Sequence, residues 1–158
     1  MDDEIRAYKE SIERRLVEIC DVLDRLPPSD LNFRPDIVGA NSPWMLATHT
    51  LGNARAWVLG IACSQPMRRD RTAEFAGIGD SAAEFRGETT AFFGLMEEAL
   101  ARLSSEDLNR RTKPSRELWG EGEPREISAR EALLQVVEHA SLHLGHLHVT
   151  RDLALARP

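Results

Sequence analysis

Apolar residues recur at helical spacing over four long stretches of this 158-residue sequence. In the first stretch, residues 3–26, they are separated by steps of three, four or seven, the repeat of one face of an α-helix. They are Ile5, Ile12, Leu16, Ile19, Leu23 and Leu26. Three later stretches have the same kind of spacing, and the segments between them show no convincing strand pattern. The sequence therefore predicts an all-α protein.

Capping and breaking residues give the ends of the four helices. Pro27-Pro28 ends the first helix, and Ser42-Pro43 begins the second with a cap followed by proline at the first helical position. Ser128 and Glu131 form a capping box at the start of the last helix. The predicted helices are 3–26, 43–63, 81–103 and 128–154.

Long segments rich in proline and glycine separate these helices. Residues 64–80 and 104–127 are predicted to be extended connections, the second with one helical turn near Ser105. Four amphipathic helices of this length predict a four-helix bundle with long inter-helix connections. A chain of 158 residues suits a single domain, 1–158, although such connections argue against a simple up-down-up-down topology.

Composition excludes several classes of function. The net charge of −6 opposes nucleic-acid binding, and the one basic cluster, Arg68–Arg71, is predicted to be a solvated loop. No apolar run reaches the roughly 18 residues of a membrane span. The acidic start, Met1–Glu4, does not resemble a secretory signal, so we expect a cytoplasmic protein. Without a CxxC motif, Cys20 and Cys63 are expected to be buried free thiols.

All five histidines lie in two of the predicted helices. His49 shares an apolar, inward face of the second helix with Gly52, which leaves space beside it. On the last helix, at about 100° per residue, His139, His143 and His146 fall within about 60° of one another. They are flanked by apolar residues on both sides, so we expect them to face protein. The helix phase directs His148 and Glu138 away from this group.

Two histidines four residues apart can bind one metal ion, because their side chains stand one turn apart on the same helix face. Imidazole suits zinc, nickel, iron or copper. A third histidine from a facing helix would complete a site that leaves one position open for water or substrate. The pattern alone also fits buried histidines that are only hydrogen-bonded in the core.

Two sequence blocks resemble the DinB/YfiT-like superfamily of metal-dependent enzymes. The first comprises Leu31–Pro35 and Asn41–His49, which resemble the family's loop into its second helix. The second comprises Glu131–Leu134 and His139–His146, which resemble the family's H-x-x-x-H-x-G-Q/H block. The likeness extends over nearly the whole chain in helix order, although the first and third helices match only in pattern.

The resemblance implies a ligand set for one divalent metal ion, with zinc or nickel expected. His49, His139 and His143 match the family's three ligands, and some relatives have glutamate where His139 stands. His146 occupies a position where many members have glutamine, which implies an alternative ligand or a hydrogen-bonding partner of the ligands. No catalytic residue or residue that binds a thiol is assigned.

The resemblance also implies an activity. Characterised relatives include transferases that use bacillithiol or mycothiol and a mycothiol-dependent isomerase, so a metal-dependent thiol S-transferase with a small-molecule substrate is expected. Cys63 lies about 21 Å along a straight helix from His49 and cannot share its metal site. Family members often pair as homodimers, and the apolar residues of the first and last helices would permit this pairing.

Two alternatives remain open. Metal-dependent hydrolysis would require a carboxylate base, but no H-E-x-x-H motif occurs, Glu138 is predicted to point away, and Asp36 lies in a loop that the sequence does not place. The other alternative is a non-enzymatic, stress-related helical protein in which the metal is structural.

Overall fold

The computed structural model describes residues 1–157, so Pro158, the last residue of the predicted domain, lies outside the described residues. The described helices are α1 (Asp3–Asp24), α2 (Pro43–Arg55), α3 (Arg71–Ala76), α4 (Ala82–Leu100), α5 (Arg116–Trp119) and α6 (Ala129–Leu155). The four long helices, α1, α2, α4 and α6, correspond to the four predicted ones. The all-α fold class is therefore confirmed, with small differences at the helix ends.

Side-chain caps begin all four long helices, and the sequence predicted those of α2 and α6. Asp2 accepts a hydrogen bond from the backbone of Glu4 at the start of α1, and Ser42 accepts one from Met45 at the start of α2. At α6 the capping box is complete, because Ser128 and Glu131 each bind the other's backbone amide. Such caps replace the hydrogen bonds that the first turn of a helix lacks.

The α2 helix continues directly into a π-helix, Ala56–Ala62. In this segment the backbone amide of Cys63 donates to the carbonyl of Val58, five residues earlier. The predicted helix from residue 43 to residue 63 is therefore continuous, but its last part is wound more loosely than an α-helix. Such π segments are rare and often occur near functional sites.

The core forms where the apolar faces of the four long helices meet. The α6 helix packs on α1 and α2, and α1 also packs on α4. Ile12, Leu51, Phe92 and Leu147, one from each helix, are at most 2% exposed. Burial of side chains of this size stabilises the fold by about 1.5–3 kcal/mol each. This packing positions α2 and α6, which carry the histidines.

The long connections contain more regular structure than predicted. Residues 64–80 include α3, which Asp70 caps, and residues 104–127 include the 3-10 turn Asp107–Asn109 and α5. Two short antiparallel strands, β1 (Arg111–Thr112) and β2 (Ile127–Ser128), pair at the base of the second connection. The expectation of no strand is therefore wrong at these four residues, which lie in a segment without any alternating apolar pattern.

An apolar stripe on α6 is exposed in the single chain. Leu142, Val149 and Leu153 are 58%, 60% and 43% exposed, and His146 between them is also exposed. The expectation that His146 faces protein is therefore wrong within one chain, because no helix of the bundle covers this side of α6. Pairing of two chains through α1 and α6 stays a prediction.

Among the described helices, none has an apolar stretch long enough to cross a membrane.

Candidate metal centre

Three histidines from α2 and α6 meet inside the bundle. His49 is 5% exposed, and its Nε2 lies 3.1 Å from Nε2 of His139. The His143 ring is close to both, with centroid distances of 5.0 Å to His49 and 4.4 Å to His139. The structure thus brings together the three histidines that the sequence singled out as ligands.

The geometry of these three histidines fits a divalent metal ion. One ring nitrogen of each lies within 4.8 Å of those of the other two. A tetrahedral ion with metal–nitrogen bonds of about 2.0–2.1 Å would hold neighbouring nitrogens about 3.3–3.4 Å apart. The separation of 3.1 Å between His49 and His139 is close to that value. These residues could therefore hold a metal ion after only small movements of the rings.

Burial keeps two of the imidazoles neutral. Burial, with a smaller contribution from the neighbouring histidines, lowers the pKa of His139 to about 3 and that of His143 to about 4. At neutral pH these two rings are therefore uncharged. A neutral imidazole keeps the nitrogen lone pair that a metal ion needs.

Glu74, on α3, fixes the orientation of His49. Its Oε2 lies 2.8 Å from Nδ1 of His49, and the guanidinium of Arg69 binds the same carboxylate through Nε and Nη2 at 2.7 and 2.9 Å. Burial would raise the pKa of Glu74, but hydrogen bonds from His49 and Arg69 outweigh it and hold the pKa below its ordinary value. The ionised Glu74 accepts a hydrogen bond from Nδ1–H of His49. The Nε2 lone pair of His49 is then directed towards the other two histidines.

Gly52 provides the space for that carboxylate. A Cβ atom added at this position would overlap Oε1 of Glu74. Thr48, four residues before Gly52, donates a hydrogen bond of 2.9 Å to the backbone carbonyl of Glu74. The space that the sequence predicted beside His49 is thus filled by an acidic residue from α3.

Sequence reasoning missed Glu74, and it described Arg69 wrongly. Arg69 is 8% exposed, so the prediction of a solvated loop for Arg68–Arg71 fails at this residue. Its charge is neutralised by Glu74, which makes its burial possible. The sequence did contain one sign of the Glu74 contact, which is Gly52 one turn from His49. A glycine on the inward face of a helix often marks a close approach by another group.

A cleft of about 720 Å³ opens beside the three histidines. Asn53 and Trp57 line it from α2 and the π-helix, and Gln135 and Glu138 line it from α6. Trp119 of α5 lies against Trp57, with 5.0 Å between ring centroids. The volume of the cleft lies within the range of small-molecule sites in proteins.

The cleft corrects one sequence prediction and supports two others. Glu138 was expected to point away from the histidines, but it lines the cleft, which is wide enough to reach this exposed residue. His148 lies outside the three-histidine group, as predicted. His146, which the sequence offered as an alternative ligand or a partner of the ligands, also lies outside the group, and its ring is 5.6 Å from that of His143. Cys63 is not among the residues that line the cleft, and burial raises the pKa of its thiol to about 11.

The first prediction concerns metal content. Wild-type protein dialysed against a weak chelator should retain about one divalent ion per chain. His143→Ala should lose the ion because it removes one of three ligands. His148→Ala should keep it, since His148 lies outside the group. Elemental analysis of the three proteins tests this assignment, and equal retention in both variants would refute it.

The second prediction concerns the support of His49. Gly52→Ala should displace the Glu74 carboxylate and weaken metal binding about 10- to 100-fold, the usual effect of losing a ligand's hydrogen-bonding partner. Glu74→Gln should also weaken metal binding, because a neutral amide oxygen accepts a weaker hydrogen bond from Nδ1–H of His49 than a carboxylate does. Competition with a chromophoric chelator measures the affinities.

Gly94→Ala is the matched control for Gly52→Ala. Gly94 lies in the exposed face of α4, where an added Cβ meets no atom within 4 Å. Both substitutions raise helix propensity, so a general gain or loss of helix stability would affect both variants alike. An unchanged metal affinity in Gly52→Ala would show that Glu74 does not support the site.

The third prediction concerns the pH dependence of metal-free protein. His139 and His143 have folded-state pKa values of about 3 and 4, below the unfolded value near 6.5. Below pH 6.5 the unfolded chain therefore binds protons that the folded chain does not, and stability falls as pH falls towards 4. The urea midpoint should decrease between pH 7 and 4.5, and less so in a His139→Gln/His143→Gln double variant. An equal decrease in both proteins would contradict this linkage.

Comparison with known proteins gives the family. A sequence profile of the DinB superfamily matches residues 12–147, which include all three histidines of the centre. The crystal structure of a conserved protein from Enterococcus faecalis is similar to this chain, with a TM-score of 0.68 and 16% sequence identity over 99% of each chain. This likeness shows a shared fold. No curated protein matches the sequence. The profile match covers most of the 158 residues, and the chain therefore belongs to the DinB superfamily.

Proposed function

We propose that the chain is a metal-dependent transferase that uses a low-molecular-weight thiol, with His49, His139 and His143 holding one zinc or nickel ion. The observation that carries this proposal is the number of ligands. Three histidines converge beside the cleft, and no other histidine, cysteine or acidic residue among residues 1–157 joins their group. Three protein ligands leave a position for an external ligand, as in catalytic zinc sites.

The proposed chemistry places the reactive sulfur on the co-substrate. When bound, the metal would hold the thiol as a thiolate at neutral pH, where a free thiol of pKa about 8.5 is mostly protonated. The sulfur then forms a bond to an electrophilic carbon, and the leaving group departs with the electron pair of the bond that breaks. Glu138, exposed at the cleft, can accept the proton that the thiol loses.

The chain's own residues prepare the site for this reaction. Glu74 and Arg69 hold His49 in one orientation, and burial keeps His139 and His143 neutral. Trp57 and Trp119 present aromatic surface to the electrophile. Bacillithiol and mycothiol are the proposed co-substrates, because characterised members of the superfamily that the sequence resembles include transferases that use them, and the cleft volume suits molecules of that size.

Metal-assisted hydrolysis is the second candidate, and a specific observation favours it. The sequence offered no well-placed carboxylate base, but Glu138 is exposed and lines the cleft. Bound zinc can lower the pKa of water to about 7, so a single carboxylate would be sufficient to take up the proton of the attacking water. A purely structural metal is less well supported, since structural zinc sites usually have four protein ligands.

The fourth prediction tests the transferase. Cobalt(II)-substituted protein titrated with bacillithiol, mycothiol, cysteine and glutathione should develop a sulfur-to-cobalt charge-transfer band with at least one thiol. That thiol should react with a haloarene or an epoxide faster in the presence of wild type than of His143→Ala, which lacks a metal ligand.

The His148→Ala variant is the control, because it removes a histidine that lies outside the three-histidine group. It should match wild type in both assays. If no thiol perturbs the cobalt spectrum and none is conjugated, the transferase proposal fails and hydrolysis becomes the leading candidate.

A further inference from the structure

Buried polar atoms without hydrogen-bond partners are concentrated in the cleft. Seven such side-chain atoms occur in residues 1–157, and five of them belong to residues that line the cleft. These five are Asn53 Oδ1, Trp57 Nε1, Gln135 Oε1, His139 Nδ1 and His143 Nδ1. Buried polar groups in proteins are nearly always paired. This concentration therefore indicates that a ligand completes the pairing.

Two of the five residues carry side-chain amides next to the histidines. Asn53 lies four residues after His49, and Gln135 lies four residues before His139, so each amide is about 6 Å along its helix from a histidine. Asn53 is only 4% exposed, and Gln135 is partly buried. The last torsion of both side chains is broad, so each amide can turn to present either its oxygen or its NH₂ group.

The charges around the cleft argue against an anionic ligand group at this position. Three arginines line the cleft, and each already has a carboxylate partner. The pairs are Arg69 with Glu74, Arg71 with Glu121 and Arg125 with Glu131. No unpaired positive charge among these residues is left to attract a carboxylate or a phosphate. Two of the unpaired groups are neutral amides and the others are nitrogens of neutral rings, and such groups suit a neutral polar ligand.

We propose that Asn53 and Gln135 form a subsite that binds a neutral amide of the thiol co-substrate. This inference rests on the proposed function, because it places the sulfur at the histidines and the amide one helical turn away. An amide has one N–H donor and one carbonyl acceptor, and a pair of side-chain amides can satisfy both. The ligand class is therefore an N-acylated aminothiol, in which a short carbon chain separates the sulfur from the amide.

Two thiols that differ only in the amide nitrogen test the subsite. N-acetylcysteamine carries an amide, and 2-mercaptoethyl acetate carries an ester of the same length that has no N–H donor. Both are titrated into cobalt(II)-substituted protein, and the charge-transfer band gives their dissociation constants. Wild type should bind the amide about tenfold more tightly than the ester, because the ester leaves an acceptor of the subsite unpaired.

Substitutions identify the residues responsible. In Asn53→Leu and in Gln135→Leu the ratio of the two constants should fall towards one. Comparing each variant's ratio with that of wild type cancels any difference in the pKa values of the two thiols. Asn109→Leu is the control, since Asn109 is an exposed asparagine outside the cleft, and its ratio should equal that of wild type.

The outcomes separate this inference from the proposed function. If neither thiol perturbs the cobalt spectrum, the amide subsite is overturned, and the transferase is judged by the four thiols of the fourth prediction. If both thiols bind with equal affinity to wild type, the amide subsite alone is overturned and thiol binding stands. The wild-type ratio decides the question even where a leucine variant fails to fold. A ratio that persists in both variants would assign amide recognition to other residues.

Discussion

The hydrogen-bonded chain from Arg69 through Glu74 to His49 determines how the candidate centre is built. A carboxylate buried without a partner would be very unfavourable, and the two-point contact with the guanidinium offsets that cost with strong, directional bonds. The remaining acceptor capacity of Glu74 is directed at His49. Because all three residues are largely buried, loss of any one would leave an unpaired polar or charged group inside the protein.

The bundle supplies the rigidity on which this arrangement depends. His49 lies on α2, and His139 and His143 lie on α6, so their separation is set by the packing of two long helices. Sites carried by helices are held more accurately than sites carried by loops. The connection 64–80 adds the supporting carboxylate, and the connection 104–127 adds Trp119 to the cleft wall. The frame and the variable parts of the site thus come from different segments of the chain.

Much of this structure could be predicted from the sequence because it depends on local patterns. The long helices follow from apolar spacing and caps, and the inward direction of His49 follows from its helix face. Glu74 could not be predicted, because its contact with His49 depends on how a six-residue helix in a connection packs on α2. Glu138 was misplaced because helix phase describes direction around an axis, whereas the width of a cleft depends on the neighbouring elements.

Gly52 has a consequence for how such a centre can change over time. Its missing side chain and the Glu74 carboxylate occupy the same space, so the two positions constrain each other although they are 22 residues apart in the sequence. A larger residue at position 52 is compatible with the fold only if the acid moves away or is replaced. Conversely, a chain with a larger residue at position 52 would have no room for the acid at this place. Homologous chains that keep the acid in this position should therefore also keep the glycine.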